Sequence, residues 1–340
     1  EIDADMRAHG GFVRKEDLAR VPANVHETEP ARVHYRDREV LSVGPPAAGG
    51  ILAGTLAILQ RFSPELVASR SADAHQLLLD AVRIAREDAR ATAARGRSSA
   101  GGMPAFLEAG RAEERAREIR PGTAWNAGAL RAPAAAGPSP GEHTTQVSVV
   151  DGAGNAVSIT QTLGADWGSA SAGEKLGFPY NAVLAWFELE NRAHPAFLSP
   201  RASLPVPSAP AIVLKDGSVE LVLGSPGSSR IVPAIVSVVR NVVDGGMELS
   251  EAVAAPRFLW QDEGAFRRVV AEVAGDAEEK ALVELARRGY TDAWVVRGPA
   301  TDVVSFGCVN AVGWNARARA WEGVGDPRRR GVAAAPTAPR

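Results

Sequence analysis

Two strand–turn–strand patterns in the second half of the chain restrict its fold more than any other feature. Residues 145–150 and 156–163 are rich in β-branched side chains and flank a five-residue turn of Asp, Gly, Ala and Asn. Residues 211–214 and 219–223 repeat the arrangement around a Lys-Asp-Gly turn. Short runs of this kind, bounded by turn residues, are typical of β-hairpins. We therefore predict two antiparallel hairpins, which neither a purely helical protein nor a parallel βαβ series would contain.

Helical periodicity is found on both sides of these hairpins. The longest example covers about residues 73–96, where Leu77, Leu78, Ala81 and Ile84 form an apolar stripe and charged residues fill the other face. Strands that pair with their neighbours in sequence, with helices outside them, predict an α+β fold. The other predicted helices cover residues 1–10, 15–20, 51–62, 229–243, 248–254 and 276–288.

Residues 120–143 differ in composition from the rest of the chain. They are rich in Pro, Gly and Ala, show little periodicity, and end where the strand pattern begins at Thr144. A long segment without secondary structure is uncommon in a compact protein and is usually functional. We interpret it as an exposed, mobile connector between a region at residues 1–119 and a region at residues 144–340.

Composition excludes several classes of function. The formal net charge of −2 gives no basic field of the kind that nucleic-acid binding requires, and no apolar run is long enough to cross a bilayer. Cys308 is the only cysteine, which excludes an internal disulfide and a thiolate metal cluster. The six histidines contain no i, i+4 pair that would predict zinc. We expect no metal, organic cofactor, nucleic acid or membrane as a partner; a cytoplasmic and an exported location both stay open.

The pair His143-Thr144 stands where the connector meets the first hairpin. A threonine hydroxyl is a poor nucleophile and needs an adjacent base. If the 143–144 peptide bond were cut, Thr144 would gain a free α-amine, whose pKa of about 8 lets it accept a proton near neutral pH. One residue would then supply both nucleophile and base. The alternative is that two threonines simply open a strand, since β-branched residues favour strands.

Several separate motifs, in one order along the chain, resemble those of the γ-glutamyltranspeptidase family. Residues 144–163 resemble the start of the family's small subunit, and residues 326–331 (Asp-Pro-Arg-Arg-Arg-Gly) resemble its C-terminal signature. Upstream segments are similar to the later part of the large subunit, so we expect the first part of that subunit to lie outside this chain. The remaining motifs are residues 10–18, 45–50, 212–217 and 224–231.

The resemblance implies a self-cleaving N-terminal-nucleophile hydrolase with a four-layer αββα sandwich. It implies that Thr144 becomes the first residue of the small subunit and attacks an amide carbonyl. Thr162 matches a threonine on the neighbouring strand whose hydroxyl supports the nucleophile. Gly227 and Ser228 match a Gly-Gly pair whose main-chain N–H groups form the oxyanion hole, and Ser228 departs from glycine. The alternatives are an ordinary strand residue for the second threonine and a simple turn for the pair.

Three positions depart from the pattern of the family's γ-glutamyl enzymes. Gly164 stands in place of an asparagine, and Val183 and Trp186 stand where polar side chains read the substrate's α-amino group. A serine pair that holds the α-carboxylate aligns near Val206-Pro207. Apolar side chains cannot satisfy a buried ammonium or carboxylate. We therefore expect the substrate to be a small-molecule amide with a less zwitterionic acyl group.

Three functions stay open at this point. The first is acyl transfer by two subunits cut from one precursor, nominally γ-glutamyl transfer or glutathione hydrolysis but with a different acyl group. The second is a biosynthetic hydrolase on the same scaffold with a specialised substrate. The third is an unprocessed, inactive homologue that serves as a binding or structural partner. Within the C-terminal signature, we interpret Asp326 and Arg328 as a structural ion pair.

Overall fold

The α+β class predicted from the hairpins is confirmed, and both hairpins are present. The computed structural model describes residues 1–25, 27–94, 110–130, 144–192, 197–200, 204–263, 266–298 and 306–335. The helices in these ranges are α1 (Ile2–Ala8), α2 (Lys15–Arg20), α3 (Gly49–Leu59), α4 (Pro64–Ala68), α5 (Ala72–Ala94), α6 (Arg111–Ala116), α7 (Ala127–Leu130), α8 (Ile231–Val243), α9 (Leu249–Ala254) and α10 (Asp276–Arg287). The strands are β1 (Ala31–Tyr35), β2 (Arg38–Ser42), β3 (Thr144–Val150), β4 (Ala156–Thr162), β5 (Ala211–Lys215), β6 (Ser218–Gly224), β7 (Phe258–Glu263), β8 (Phe266–Val273), β9 (Ala293–Arg297), β10 (Asn310–Asn315) and β11 (Ala320–Val324).

The strands form three sheets. A central sheet has the order β1-β2-β5-β6-β10-β11, and all of its neighbouring strands are antiparallel. The hairpin β3–β4 forms a two-stranded sheet, and β7-β8-β9 forms a third in which β8 and β9 run parallel. The central sheet therefore joins strands from both ends of the chain, and the hairpin that begins at Thr144 is a separate layer.

The main core lies between one face of the central sheet and the helices α3, α5 and α8. Leu52, Leu56 and Leu59 of α3 are at most 1% exposed, and α3 packs on β1, β2 and the two other helices. Leu221 and Leu223 of β6 belong to the same apolar cluster. Fully burying a leucine side chain contributes about 1.5–3 kcal/mol, so this layer supplies much of the stability that fixes the sheet.

Alternation along β6 assigns the two faces of the central sheet. Leu221 and Leu223 point to the helices, so Val222 and Gly224 point to the other side. Gln146 of β3 covers Gly224 so closely that a Cβ atom added to this glycine would collide with the Gln146 side chain. The β3–β4 hairpin therefore lies on the face of the sheet opposite the helices.

The hairpin turns polar side chains toward the central sheet and apolar side chains away from it. Ser148 Oγ donates to the carbonyl oxygen of Asn310, and Ser158 Oγ donates to that of Leu223, both at 2.9 Å. Helices, central sheet and hairpin are three successive layers of the predicted sandwich. The residues of the outer hairpin face, 43–49% exposed, are Val147, Val149, Val157 and Ile159.

Residues 120–130 differ from the mobile connector predicted to begin at Arg120. Gln76 Nε2 of α5 donates to the carbonyl oxygens of Arg120 and Thr123, both at 2.8 Å, and Ala124 is buried. The main chain of this segment is thus held by a buried side chain far away in sequence. Composition records only that the segment is rich in Gly and Ala, so it could not reveal this attachment.

Helix α5 joins the main core to the three-stranded sheet. His75 stacks on Phe258 of β7 with ring centroids 3.9 Å apart, and the Arg83 guanidinium lies 5.2 Å from the Trp260 ring centroid. With 23 residues it is long, but it carries charged side chains along its length. Over the ranges that the structure describes, no helix has both the length and the apolar character to cross a membrane.

Candidate active site

Thr144 and Thr162 lie directly opposite each other at one end of the hairpin. Thr144 is the first residue of β3 and Thr162 the last of β4, and they are partners in the antiparallel register. Such partners have Cβ atoms about 4.5–5.5 Å apart, so the two hydroxyl groups share one small volume. Both residues are partly buried. His143, and with it the bond predicted to be cut, lies outside the described residues, as does the rest of the connector from residue 131 onward.

The Thr162 hydroxyl is held by the turn that follows β4. The Gly164 N–H donates to Thr162 Oγ1 at 2.9 Å, so the oxygen accepts from the main chain and its own proton can point elsewhere. Gly164 has φ +86°, and a Cβ atom there would lie 3.1 Å from main-chain atoms of Ala182 and Val183. An asparagine at 164 would need residues 182–183 to move. The glycine therefore fits this turn with less strain than an asparagine would.

Gln146 packs between the hairpin and the central sheet, ties the two hairpin strands together, and is a residue that sequence reasoning missed. Its side chain is 4% exposed, and Nε2 donates to Ser148 Oγ and Ser158 Oγ, both at 3.0 Å. Oε1 accepts from Thr160 Oγ1 at 2.6 Å, and the main-chain oxygen accepts from Asn310 Nδ2 at 3.2 Å. Its position inside a run of β-branched residues was the one sequence signal for a buried polar side chain.

The loop with Gly227 and Ser228 lies beyond the same end of the hairpin. Gln146 of β3 covers Gly224, the last residue of β6. Thr144 precedes Gln146 by two residues and therefore lies about 7 Å from it along β3. Ser158, which pairs with Ser148, bonds to Leu223, the residue before Gly224. The step from Leu223 to Gly224 thus runs in the same direction as the step from Ser148 to Gln146 and Thr144, and the chain continues that way toward residue 228. Strand geometry thus places this loop and the two threonines at one end of the sheet.

Neighbouring residues hold the loop in place. Ser225 Oγ accepts from the Cys308 N–H at 2.9 Å, and the Arg86 guanidinium donates to the Ser229 carbonyl oxygen. Gly227 has φ +128°, with its added Cβ 3.1 Å from Gly307. A main chain held this firmly can orient N–H donors toward a developing negative charge without rearranging.

Ser228 lies in the left-handed region, with φ +51°. This conformation costs a non-glycine residue about 1–2 kcal/mol. We therefore expect Ser228→Gly to keep most of any acyl transfer at this site and to leave the free energy of unfolding unchanged or higher by up to about 1 kcal/mol, because glycine also gains unfolded-state entropy. Steady-state kinetics and urea unfolding measure both effects. Ser228→Ala is the matched variant, since it keeps the strain and the main-chain N–H; a large rate loss in both variants would assign a direct role to the hydroxyl.

A cavity of about 760 Å³ opens beside the threonines. Among the predicted site residues, Thr144 and Thr162 line it, whereas Gly164, Val183 and Trp186 do not. Val183 instead packs against Gly164, and Trp186 ends the short 3₁₀ helix Val183–Trp186. Gly227 and Ser228 are also outside the lining. The other lining residues are Thr145, Gln161, Leu163, Asp166, Phe178, Pro179, Arg328, Arg329 and Arg330.

The predicted ion pair of Asp326 and Arg328 is present and belongs to a larger buried network. Arg328 contacts Asp326 at 3.2 Å and Glu272 at 2.6 Å, and Arg257 contacts Asp326 at 2.7 Å. All four side chains are at most 4% exposed. Burial alone would raise the pKa of Asp326, but the neighbouring Arg257 and Arg328 outweigh it and hold the pKa below its usual value.

Cys308 is a buried thiol near the same network. Burial, together with the charge of Asp326, raises its pKa to about 11. A thiol with this pKa is protonated at neutral pH, and only the thiolate is a good nucleophile. Cys308 does not line the cavity, whereas the hydroxyls of Thr144 and Thr162 do.

Comparisons with known proteins agree with this arrangement. The family model Gamma-glutamyltranspeptidase matches residues 1–336. The chain is 32% identical over 279 residues to the glutathione hydrolase proenzyme of Escherichia coli (strain K12), covering 77% of this chain and 46% of that protein. It is 30% identical over 324 residues to the acylase ACY 1 proenzyme of Pseudomonas sp. (strain SE83), covering 91% and 52%.

The fold has a counterpart among solved structures. The cephalosporin acylase from Bacillus halodurans superimposes with a TM-score of 0.76 over 99% of this chain and 58% of that one, at 23% identity. The chain spans about half the length of the curated relatives it matches. A match of the family model along almost the whole chain, together with the paired threonines at the end of the hairpin, shows that the chain belongs to the γ-glutamyltranspeptidase family.

Proposed function

We propose that this protein is an amidohydrolase and acyltransferase whose nucleophile is Thr144, freed as a new N-terminus by cleavage of the bond after His143. The observation that carries the proposal is the pairing of Thr144 with Thr162 across the hairpin, on the wall of a cavity of about 760 Å³. The relatives described above are named proenzymes, which supports maturation by cleavage. The mature enzyme would consist of a large and a small subunit from one precursor.

The proposed reaction has two halves. In the first, Thr144 Oγ1 attacks the carbonyl carbon of the amide while the α-amine of the same residue takes the hydroxyl proton. The C–N bond then breaks, the proton passes to the leaving amine, and an ester to Thr144 remains. In the second half, water or another amine attacks this ester and restores the hydroxyl. The threonine and its amine handle every proton and electron pair, so the proposal calls for no cofactor.

A pair of main-chain N–H groups and one side-chain hydroxyl would support these steps. The N–H groups of Gly227 and Ser228 would donate to the oxyanion that forms when the carbonyl is attacked; removing one such donor typically reduces the rate by about 10²–10³. Thr162, whose oxygen accepts from Gly164, would direct its own proton to Thr144 Oγ1 and orient it for attack. Both contributions depend on a backbone that is already in place.

We propose further that the acyl group is not γ-glutamyl. Val183 and Trp186 stand where the family pattern has groups that read the α-ammonium, and neither lines the cavity. A side chain at residue 164 would need a positive φ and a small shift of residues 182–183. One of the relatives is named an acylase, which agrees with a substrate outside glutathione chemistry. A specialised biosynthetic hydrolase would have the same machinery and differ only in the acyl group.

We expect the mature protein to turn over uncharged acyl 4-nitroanilides with a kcat/KM at least about 10²-fold above that for γ-glutamyl-4-nitroanilide. Each missing charge-assisted hydrogen bond costs about 1.5–3 kcal/mol, and two together give this ratio or more. Release of nitroaniline measures both substrates. Saturable turnover of the γ-glutamyl compound, with the neutral compounds inert, would contradict the proposed acyl preference.

A denaturing gel and N-terminal sequencing separate this function from that of an inactive homologue. The smaller chain of the mature protein should begin with Thr144, Thr145 and Gln146. A single uncut chain without acyl transfer would favour a binding or structural partner instead.

A further inference from the structure

The carbonyl group of Ser229 receives a hydrogen bond from a side chain far away in sequence. Ser229 is buried and lies in the 3₁₀ turn Ser228–Arg230 that leads into α8. An α-helix bonds each carbonyl oxygen to the N–H four residues further on, and for Ser229 that residue is Pro233, which has no N–H. The buried Arg86 guanidinium of α5 donates to this oxygen. The contact therefore replaces a helical hydrogen bond that the proline cannot make.

The two residues before Ser229 adopt main-chain conformations that need support from outside. Gly227 and Ser228 both have positive φ, +128° and +51°, and the second value is unfavourable for a serine. Conformations of this kind persist only where the surrounding structure imposes them. The Arg230 N–H donates to the Gly227 carbonyl oxygen at 2.9 Å, and the Ile231 N–H donates to that of Ser228. The strained pair is thus continuous with the carbonyl group that α5 holds.

Strand β7 holds the same serine from another side. The Asp262 N–H donates to Ser229 Oγ at 3.3 Å, and the Asp262 carboxylate contacts Arg90 at 2.8 Å and Arg267 at 3.2 Å. Burial alone would raise the pKa of Asp262, but Arg90 and Arg86 outweigh it and hold the pKa below its usual value. The carboxylate is therefore ionised at neutral pH, and its charge favours a guanidinium group in this buried place.

We propose, on the basis of the acyl-transfer function above, that Arg86 is a positioning residue for the oxyanion donors. Through the Ser229 carbonyl group it keeps the N–H groups of Gly227 and Ser228 oriented toward the reacting carbonyl. Helix α5 precedes the connector and the loop follows it, so cleavage after His143 would leave Arg86 on the large subunit and the donors on the small one. The large subunit thus completes the oxyanion loop of the small subunit.

Arg86→Met is expected to lower kcat for pentanoyl-4-nitroanilide by about 10–10²-fold. Methionine cannot donate to the Ser229 oxygen, and a displaced oxyanion donor costs less than the loss of about 10²–10³ for a donor removed outright. The oxyanion is absent from the bound substrate, so KM should change by less than about twofold. Arg86→Lys keeps a cationic donor and should restore kcat to within about fivefold of the wild type. Nitroaniline release measures both constants, referred to the amount of small chain on a denaturing gel.

Arg240→Met is the matched control. Arg240 of α8 is also a buried arginine that donates to a main-chain oxygen, that of Val67, at 3.0 Å. Its loss should lower the free energy of unfolding, as urea unfolding measures, and leave kcat and KM unchanged. A variant that is merely less stable would resemble Arg240→Met, so a lower kcat in Arg86→Met alone separates positioning from stability.

Hydrogen exchange keeps this proposal separate from the proposed function, because it needs no turnover. The Arg230 and Ile231 amides bond to the carbonyl groups of the strained pair, so they report on its conformation. In Arg86→Met they should exchange at least about tenfold faster relative to the amides of α3, and in Arg240→Met they should not. If this difference appears although the wild type turns over no amide, acyl transfer fails while the anchoring of the loop by Arg86 stands. Unchanged exchange at the two amides, an equal rise in Arg240→Met, or a kcat of Arg86→Met within about twofold of the wild type would overturn the positioning role.

Discussion

Thr144→Ala, introduced into the full-length protein, is expected to yield a single uncut chain with acyl transfer reduced by at least about 10⁴-fold. Without the hydroxyl, no N→O acyl shift can open the bond after His143, and the first residue of β3 no longer carries a nucleophile. Loss of a catalytic nucleophile reduces turnover by several orders of magnitude even when binding is intact. A denaturing gel shows the maturation, and nitroanilide release shows the activity.

Two further threonine variants make this result specific. Thr144→Ser keeps a hydroxyl at the same position and should still mature. Thr92→Ala removes a hydroxyl that bonds only within α5, to the Asp88 carbonyl oxygen, and should behave as the wild type. Normal maturation of the Thr144→Ala protein, or a small chain that begins at another residue, would move the nucleophile elsewhere.

Arg328→Met is expected to lower the free energy of unfolding by about 3–5 kcal/mol. The substitution leaves Glu272 without its closest cation and Asp326 with Arg257 alone; unpaired buried charges are costly in this range. Because the pKa of Asp326 is lower in the folded protein than in an unfolded chain, the stabilisation from this carboxylate is present above about pH 4 and is lost as the pH falls further. Urea unfolding at neutral and acid pH measures both quantities.

Arg287→Met provides the comparison for that variant. Arg287 forms an exposed i, i+3 pair with Glu284, and exposed pairs contribute about 0–1 kcal/mol. The two variants remove the same group, so a difference of several kcal/mol isolates the effect of burial. A loss below about 1 kcal/mol for Arg328→Met would show that the network contributes little to the folded state.

Part of the secondary structure could be predicted because its signals are local, whereas strands β7–β11 were not predicted. The β3–β4 and β5–β6 hairpins lie where alternation and turn residues indicated, and α5 covers most of its predicted range. The connector was less predictable, since residues 120–130 are held by Gln76 of a distant helix. Composition reports on the segment itself and carries no information about such a partner.

The candidate site was predictable only in part. The resemblance pointed to Thr144 and Thr162, and the structure places them opposite each other. The cavity itself could not be predicted, because it forms where residues 144–166, 178–179 and 328–330 meet in space. Which face of the hairpin points inward could not be predicted either. Alternating valines suggest an apolar inner face, whereas Gln146 and its polar neighbours face the central sheet.

This reversed hairpin decides which of two adjacent, chemically identical residues, Thr144 or Thr145, stands opposite Thr162. If β3 slipped by one position, every side chain would change faces, and Thr145 would occupy the place of Thr144. The slip would also put valines where Gln146 now bonds to its hairpin neighbours and Ser148 bonds to the central sheet, which would break these hydrogen bonds. The polar inner face thus discriminates between the correct and the shifted strand, and residues that take no part in the proposed reaction fix which threonine stands at the position of the proposed nucleophile.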